Sequence, residues 1–404
     1  MRLDQNVSRY SASVFIESLI HLSVQKQLVI IQNRETQFDA PLYALIQARC
    51  FFRLLLIYTE PTTTAAQCDQ EIGRSPQWDH LITGSYPSRV LASTTPWAIA
   101  KLAVQLRRQK PDLVLICGYY PRSQLLLAVF LRVLGQRIGL RSDNTLTHTS
   151  FSGWRGRLRR VGVGWIQRLF HTWHPVGEQA HAYLRAISGT QRPCYRFAYA
   201  VDNDWFAEHS AQSRNDRPRF LANQGWPQDA YVVLGIMKWN DREDPLTLVA
   251  AFQRLLQAEP RARLILIGDG PLRAAVETAC QSLGDNVLRP GYVPYSHLPT
   301  WYGKADVFVH PSPDEPWGVS VNEAMACGLP VFAAMGVGAA HELIVDGVNG
   351  RIVPNRDPLA LASALKQLLQ NPALAALWGE RCRAVAGEWS YVQTIEAFQQ
   401  AMVP

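Results

Sequence analysis

Two carboxylates, Glu315 and Glu323, lie eight residues apart in the stretch Val307 to Pro330, which reads VFVHPSPDEPWGVSVNEAMACGLP. Val307 to Val309 is a short apolar run suited to a buried strand, and the polar, proline-containing His310 to Pro316 cannot continue it. From Gly318 the spacing turns helical through Val319, Asn322, Glu323 and Met325 to Cys327, and Gly328 and Pro330 stop it. The unit is strand, loop, helix, strand, with the second strand at Val331 to Ala334. A helix N-terminus in such a crevice presents unpaired N–H groups and a partial positive charge, which suits a phosphate, and Gly318 lets the backbone come close to it. A carboxylate beside an anion site is costly unless it accepts bonds from neutral donors, and sugar hydroxyls are such donors. The pattern asks for a ligand with both phosphate and hydroxyls.

These groups need a scaffold of several strand and helix units. At 404 residues the chain exceeds one ordinary core and suits two domains. Parallel-type strands are expected at Leu28 to Ile31, Arg53 to Tyr58, Leu113 to Ile116 and Arg137 to Leu140, then at Tyr231 to Ile236 and Leu264 to Ile267. Helical patterns alternate with them, at Trp97 to Arg108, Gln124 to Leu134, Val176 to Ile187 and Leu246 to Gln257. Further helices are expected over Asn355 to Leu369, Pro372 to Ala386 and Tyr391 to Met402. The hydrophobic content of 48% is that of a soluble globular chain, and no apolar run is long enough to span a bilayer.

The seven cysteines are odd in number, scattered and without CxxC or zinc spacing, which favours a reducing compartment. A formal charge of +7 and a pI near 9.1 favour anionic partners. No zinc finger, RNP-like motif or long basic run is present, so nucleic acid is not the expected partner. Asp202-Asn203-Asp204 has a DxD metal spacing but reads as a turn and helix cap, and no metal is assigned.

Ordered short motifs surround the two glutamates: Gly268-Asp269-Gly270-Pro271, Gly291, Leu298-Pro299, Ala305-Asp306, His310-Pro311-Ser312, Glu323-Ala324-Met325-Ala326-x-Gly328-x-Pro330-Val331, Gly336 to Glu342, and Asp346-Gly347 with Asn349-Gly350. Over roughly residues 228 to 395 this string resembles the E-x7-E signature of the retaining "group 1" (family 4) glycosyltransferases. The resemblance implies an α/β chain of the GT-B class, two Rossmann-like domains facing across a cleft, with the C-terminal helix crossing back to the first domain. The domains expected are an N-terminal extension (1–27), a first Rossmann-like domain that takes the acceptor (28–205), a linker (206–228), a second that takes the nucleotide sugar (229–388), and the crossing helix (389–404).

The resemblance also implies roles. Lys238 and Arg242 would hold a donor diphosphate, Arg242 standing one residue before the usual second basic position, which falls on Glu243. Glu315 would take the sugar hydroxyls and the developing positive charge, and Glu323 the ribose hydroxyls. Gly268, Asp269, Gly270, Pro316, Trp317, Gly318, Val319 and Ser320 complete the donor site, and Tyr292 and Val293 would pack on the nucleobase. Two cations at a helix N-terminus would stabilise the leaving diphosphate in place of a metal ion, so no cofactor is expected beyond the nucleotide-sugar co-substrate. Uracil is favoured over guanine as the base. A non-catalytic nucleotide-sugar binding protein and a nucleotide-sugar epimerase are the alternatives.

The first domain departs from the commonest pattern of the class. It lacks a Gly-rich loop after its first strand and instead resembles a subset that reads "Q-F-x-x-P-L" there, which makes Gln37 and Phe38 acceptor-side candidates. Tyr119 and His148 join them. Arg141 and Asp143 stand where the same relatives have an "R-x-D-S" string and where other branches carry a histidine on the catalytic face. The polar stretch 68–91, with Trp78, reads either as a substrate-facing insertion or as a surface loop.

Residues 154–170 (WRGRLRRVGVGWIQRLF) interleave five arginines with apolar residues, which suits an anionic membrane surface, solvent, or pairing with the other domain. Ser11 to Val24 is a candidate amphipathic helix, either packed on the domain or anchored at a membrane interface; Glu17 breaks it as a signal peptide. The expected location is cytoplasmic, peripheral on the inner face of the membrane. The expected acceptor is a glycan or a lipid-linked molecule.

Overall fold

The computed structural model describes residues 26–60, 84–149 and 151–403. The candidate helix Ser11 to Val24 and most of the 68–91 stretch lie outside them.

Twelve strands among the described residues form two all-parallel six-stranded sheets. The first contains β1 (Gln27–Gln32), β2 (Arg53–Tyr58), β3 (Ser88–Val90), β4 (Leu113–Cys117), β5 (Ile138–Ser142) and β6 (Thr172–Pro175), in the order β3-β2-β1-β4-β5-β6. The second contains β7 (Tyr231–Ile236), β8 (Ala262–Ile267), β9 (Val287–Gly291), β10 (Val307–His310), β11 (Val331–Ala334) and β12 (Gly350–Val353), in the order β12-β11-β10-β7-β8-β9. Read from its own first strand, each sheet has the same winding, with a switch point between β1 and β4 and between β7 and β10. Loops at the carboxyl ends of strands flanking a switch point open a crevice, and ligands bind there.

The strands form because they are unbroken runs of aliphatic residues. Leu28 to Ile31 and Val232 to Leu234 are fully buried, as strands covered on both faces must be. In the first domain one side of the sheet packs on the helices Pro96–Gln109, Arg122–Val133, Gly153–Arg168 and Glu178–Ser188. The other side packs on Ala40–Arg49 and on the last helix, Tyr391–Ala401. Ile395 and Phe398 of that last helix are buried in the first core, and the Tyr391 hydroxyl donates to the Phe38 carbonyl at 3.0 Å. The C-terminal helix therefore crosses back, as the resemblance implied.

Two expectations are corrected, and the helix cap expected in the DxD string is present. Residues 206–228 are not an extended linker: the helices Asn203–Asn215 and Arg217–Asn223 run through them. Phe206, Leu221 and Trp226 bury against the second domain, which holds a segment that polar composition alone would leave loose. The helix expected from Val176 starts at Glu178, because Trp173 to Pro175 belong to β6, whose mixed sequence TWHP carries no strand signature. In the DxD string, Asp202 caps the following helix by accepting the Trp205 N–H at 3.0 Å.

The domains meet along a polar and aromatic seam. Glu342 of the second accepts the Glu178 N–H at the start of the Glu178–Ser188 helix, at 2.6 Å. Tyr199 of the first faces Trp317 of the second, ring centres 6.5 Å apart.

Candidate active site

The second domain's switch point gathers two loops. One follows β7 and holds Lys238, Arg242 and Glu243; the other follows β10 and runs from Pro311 to Gly318. The first loop is shaped by its neighbour after β8. A Cβ on Gly268 would sit 1.9 Å from the Met237 carbonyl, so only glycine lets the two strand ends stack. Asp269 is buried and accepts from the Gly270 N–H and the Arg273 guanidinium, both at 2.9 Å. It holds its own turn.

Hydrogen bonds then join the two loops. The Ser312 hydroxyl donates to the Arg242 carbonyl at 2.6 Å, and the Arg242 guanidinium pairs with both Glu315 and Glu243. Glu243 in turn accepts the Lys238 N–H at 2.6 Å. Burial, followed by the charge of Glu315, pushes the Glu243 carboxyl up to about 7. Glu315 is pinned from behind, its N–H bonded to the Gly336 carbonyl at 3.0 Å and its carbonyl to the Gly338 N–H at 2.8 Å. A Cβ on Gly338 would reach within 2.0 Å of the Pro316 carbonyl, so this contact too requires glycine. Lys238, Arg242 and Glu315, 77 residues apart at the extremes, are thus linked through Glu243.

Gly318, at φ +93°, is the residue from which the helix Val319–Ala326 starts, and Val319 and Ser320 form its first turn. Glu323 lies inside that helix, buried, and accepts the Tyr302 hydroxyl at 2.7 Å. Burial pushes its carboxyl up to about 7, and the Tyr302 bond only partly offsets this. Tyr292 and Val293 follow β9 at the same end of the sheet, both half-buried. Trp317 is buried, donates its indole N–H to Asn322 at 2.9 Å and lies 5.2 Å from the Trp389 ring. Its ring lies at the seam between the domains, near Tyr199 and Trp389.

The first domain's switch point opens a cavity of about 510 Å³, lined by Asn33, Arg34, Phe38, Tyr119, Asp143 and Arg159 among others. Phe38 and Tyr199 form an edge-to-face aromatic wall, centroids 5.1 Å apart. Asp143 accepts the Tyr199 hydroxyl at 3.0 Å and reaches the seam beside Pro316 and Trp317. Arg141 also borders the cavity, but its guanidinium is buried, paired through both terminal nitrogens with Asp39 at 2.8 and 3.2 Å and stacked 3.5 Å over Phe197. Expected among the catalytic groups, it has its charge balanced by a buried carboxylate inside the domain. Gln37 is not part of the cavity wall; its Oε1 is buried without a hydrogen-bond partner among the described residues. His148 also lies outside that wall and pairs instead with Asp314 of the other domain, 2.9 Å away and next to Glu315.

Tyr302, Ser312, Asp39 and Asp314 are the partners that spacing did not reveal as such. Each lies far in sequence from the group it holds, and only the short HPS string around Ser312 gave any signal.

The arrangement is a loop-lined crevice on a GT-B scaffold, and comparison with known proteins agrees on the scaffold. Residues 216–385 match the family "Glycosyl transferases group 1". A D-inositol 3-phosphate glycosyltransferase of Streptosporangium roseum is 35% identical over 179 residues, 41% of this chain and 40% of that protein. A GDP-mannose-dependent alpha-(1-6)-phosphatidylinositol monomannoside mannosyltransferase of Mycolicibacterium smegmatis is 28% identical over 61% of this chain and 65% of its own length. The chain thus spans between two fifths and two thirds of these relatives. Anabaena HepE, solved with UDP, superposes with a TM-score of 0.72 at 17% identity, covering 93% of this chain and 99% of its own. Sucrose-phosphate synthase of Thermosynechococcus elongatus does so at 0.69 and 20%, covering 93% and 98%. These likenesses establish the fold.

Proposed function

We propose that the chain transfers a sugar from a nucleotide-diphosphate sugar to a hydroxyl of a glycan, glycolipid or small metabolite, with retention of anomeric configuration and without a metal ion. The observation that carries this reading is the convergence of Lys238, Arg242 and Glu315 beside the Gly318 helix start. Two cations and a helix N-terminus suit a diphosphate and stabilise its charge as the glycosidic bond breaks. Glu315, held by its backbone to Gly336 and Gly338, is placed to accept sugar hydroxyls and to face the developing positive charge. Glu323 would accept ribose hydroxyls, and Tyr292 and Val293 would pack on the base. The acceptor enters from the first-domain cavity, whose aromatic and polar walls suit a sugar or a head group. The location that goes with this is cytoplasmic, with residues 154–170 turned to an anionic membrane surface.

A uridine donor is favoured by likeness to a fold solved with UDP, whereas a guanosine donor is named for the Mycolicibacterium relative. Thermal shifts with UDP, GDP and ADP separate them, since a ligand that binds only the native state at 100 times its Kd adds about 2.7 kcal/mol. One nucleotide should raise Tm, with or without a chelator, and Lys238→Ala should remove the shift. No shift with any of the three on a folded protein would sink the donor assignment.

A further inference from the structure

The helix Gly153–Arg168 carries an apolar stripe that is exposed among the described residues. Trp154, Leu158, Val161 and Trp165 stand at i, i+4, i+7 and i+11, the spacing of one helix face, and each is 59–68% exposed. Its opposite face, through Val163 and Gln167, is the buried one. Helical spacing sets Arg155 on one flank of the stripe and Arg157 on the other. Arg155 lies over Trp154 and Arg168 over Trp165, each about 5.3 Å from the ring centre. No Asp or Glu occurs between Asp143 and Glu178.

Further exposed apolar residues lie at the end of the sheet where the first-domain cavity opens. Trp97 and Tyr120, each 81% exposed, and Leu146 follow the carboxyl ends of β3, β4 and β5, the end at which the cavity opens. Trp97, Tyr120, Trp154 and Trp165 are the large exposed aromatics among the described residues, and all four belong to this domain. Charge follows the same division. Residues 1–202 hold 24 of the 40 Lys and Arg but 12 of the 33 Asp and Glu, a balance of +12, against −5 for the remainder.

Exposed tryptophans bordered by arginines, on the basic half of a chain whose other half is acidic, match an anionic lipid leaflet: indole rings settle at the head-group level and guanidinium groups pair with the phosphates. We propose that the first domain docks on an anionic membrane through this helix and rim, and that docking sets the cavity mouth at the head-group layer. Arg159, on the far side of the same helix, lines that cavity, and Arg34 lines it too. The substrate class this implies, resting on the transferase reading above, is an acceptor whose anionic head group enters the cavity while its apolar part stays in the leaflet.

Co-sedimentation of the full chain with vesicles of phosphatidylcholine alone, or mixed with phosphatidylglycerol, tests the docking. Binding to the mixed vesicles should be stronger by about tenfold or more and should weaken with salt. Trp154→Ser/Trp165→Ser should lower it by about tenfold, and Arg155→Gln/Arg157→Gln should remove most of the preference for anionic lipid. Neither pair should change Tm or the nucleotide-induced shift. Equal partition onto both vesicles, or a tryptophan variant that binds like wild type, overturns the proposal. So does a dimer in solution that the tryptophan variant converts to monomer while no vesicle is bound, which would assign the face to a second copy. Vesicle binding without any nucleotide shift would leave the docking standing and remove the transferase reading.

Discussion

The two domains share one winding and differ in what their switch points hold. At the second, charged groups are linked across two loops: Arg242 pairs with Glu315 and Glu243, Glu243 accepts the Lys238 N–H, and Ser312 and the Gly336–Gly338 turn hold the loop behind them. At the first, the strongest charge is turned inward. Arg141 is neutralised by Asp39 and covered by Phe197, and the cavity is faced by aromatic rings and amides together with Asp143, Arg34 and Arg159. A charged crevice suits a small anionic ligand recognised the same way in many proteins, whereas a wall of rings and amides is shaped by whatever particular molecule it takes. One scaffold thus holds a network of paired charges in one half and a mixed aromatic and polar wall in the other.

The sharpest way to break this division is Glu315→Gln. It should lower turnover by about 10³-fold or more, roughly 4 kcal/mol of barrier, while Tm stays near that of the unaltered chain, because the backbone bonds of residue 315 remain. Nucleotide release assays and a melting curve check both halves of this. Activity within about threefold of the parent would remove Glu315 from the chemistry.

The corresponding change in the first domain should act on stability instead. Arg141→Ala leaves the Asp39 carboxylate buried without its partner and should cost about 3–4 kcal/mol in urea unfolding. Asp39→Asn/Arg141→Met should recover part of that loss. An Arg141→Ala protein of unchanged stability and lost turnover would make Arg141 a catalytic group after all.

A smaller effect separates the domains by pH. Glu323 holds its proton to about 7 in the folded chain, whereas in the unfolded chain it releases it near the ordinary 4.5. The folded state therefore binds the extra proton between those values, and this contribution to stability is whole below 4.5 and lost as pH rises through 7. Glu243 acts in the same direction. Glu323→Gln should flatten the decline between pH 5 and pH 8 by on the order of 2 kcal/mol, read as Tm against pH. An unchanged slope would mean that Glu323 is ionised throughout.

Much of the second domain was legible in the sequence because its signals are local. A buried parallel strand is a run of aliphatic residues, and a helix start is a change of spacing after a glycine, so β7, β8, β10 and β11 and the helix at Val319 can be read directly. In the first domain β1, β2 and β4 were equally plain, but β6 was not: Thr172 to Pro175 become a strand only because Gly139 to Ser142 lie alongside to pair with them. The helices at 203–223 were missed for a related reason. Their composition is polar and broken by Pro218, and what holds them is the burial of Phe206 and Leu221 against a sheet formed later in the chain.

What the sequence by itself determined is the order of elements, the presence of two Rossmann-like halves, and the identity of Lys238, Arg242, Glu315 and Glu323 as the groups to watch, since each sits at a strand end or helix turn that short-range pattern defines. Only the tertiary structure decided which partner each charge meets. Whether an arginine pairs at a partly exposed loop edge, as Arg242 does with Glu315, or with a buried aspartate, as Arg141 does, depends on a partner brought near by folding: Glu315 lies 73 residues from Arg242 and Asp39 lies 102 from Arg141. Electrostatic pairing depends on distance in space, and spacing along the chain does not report it.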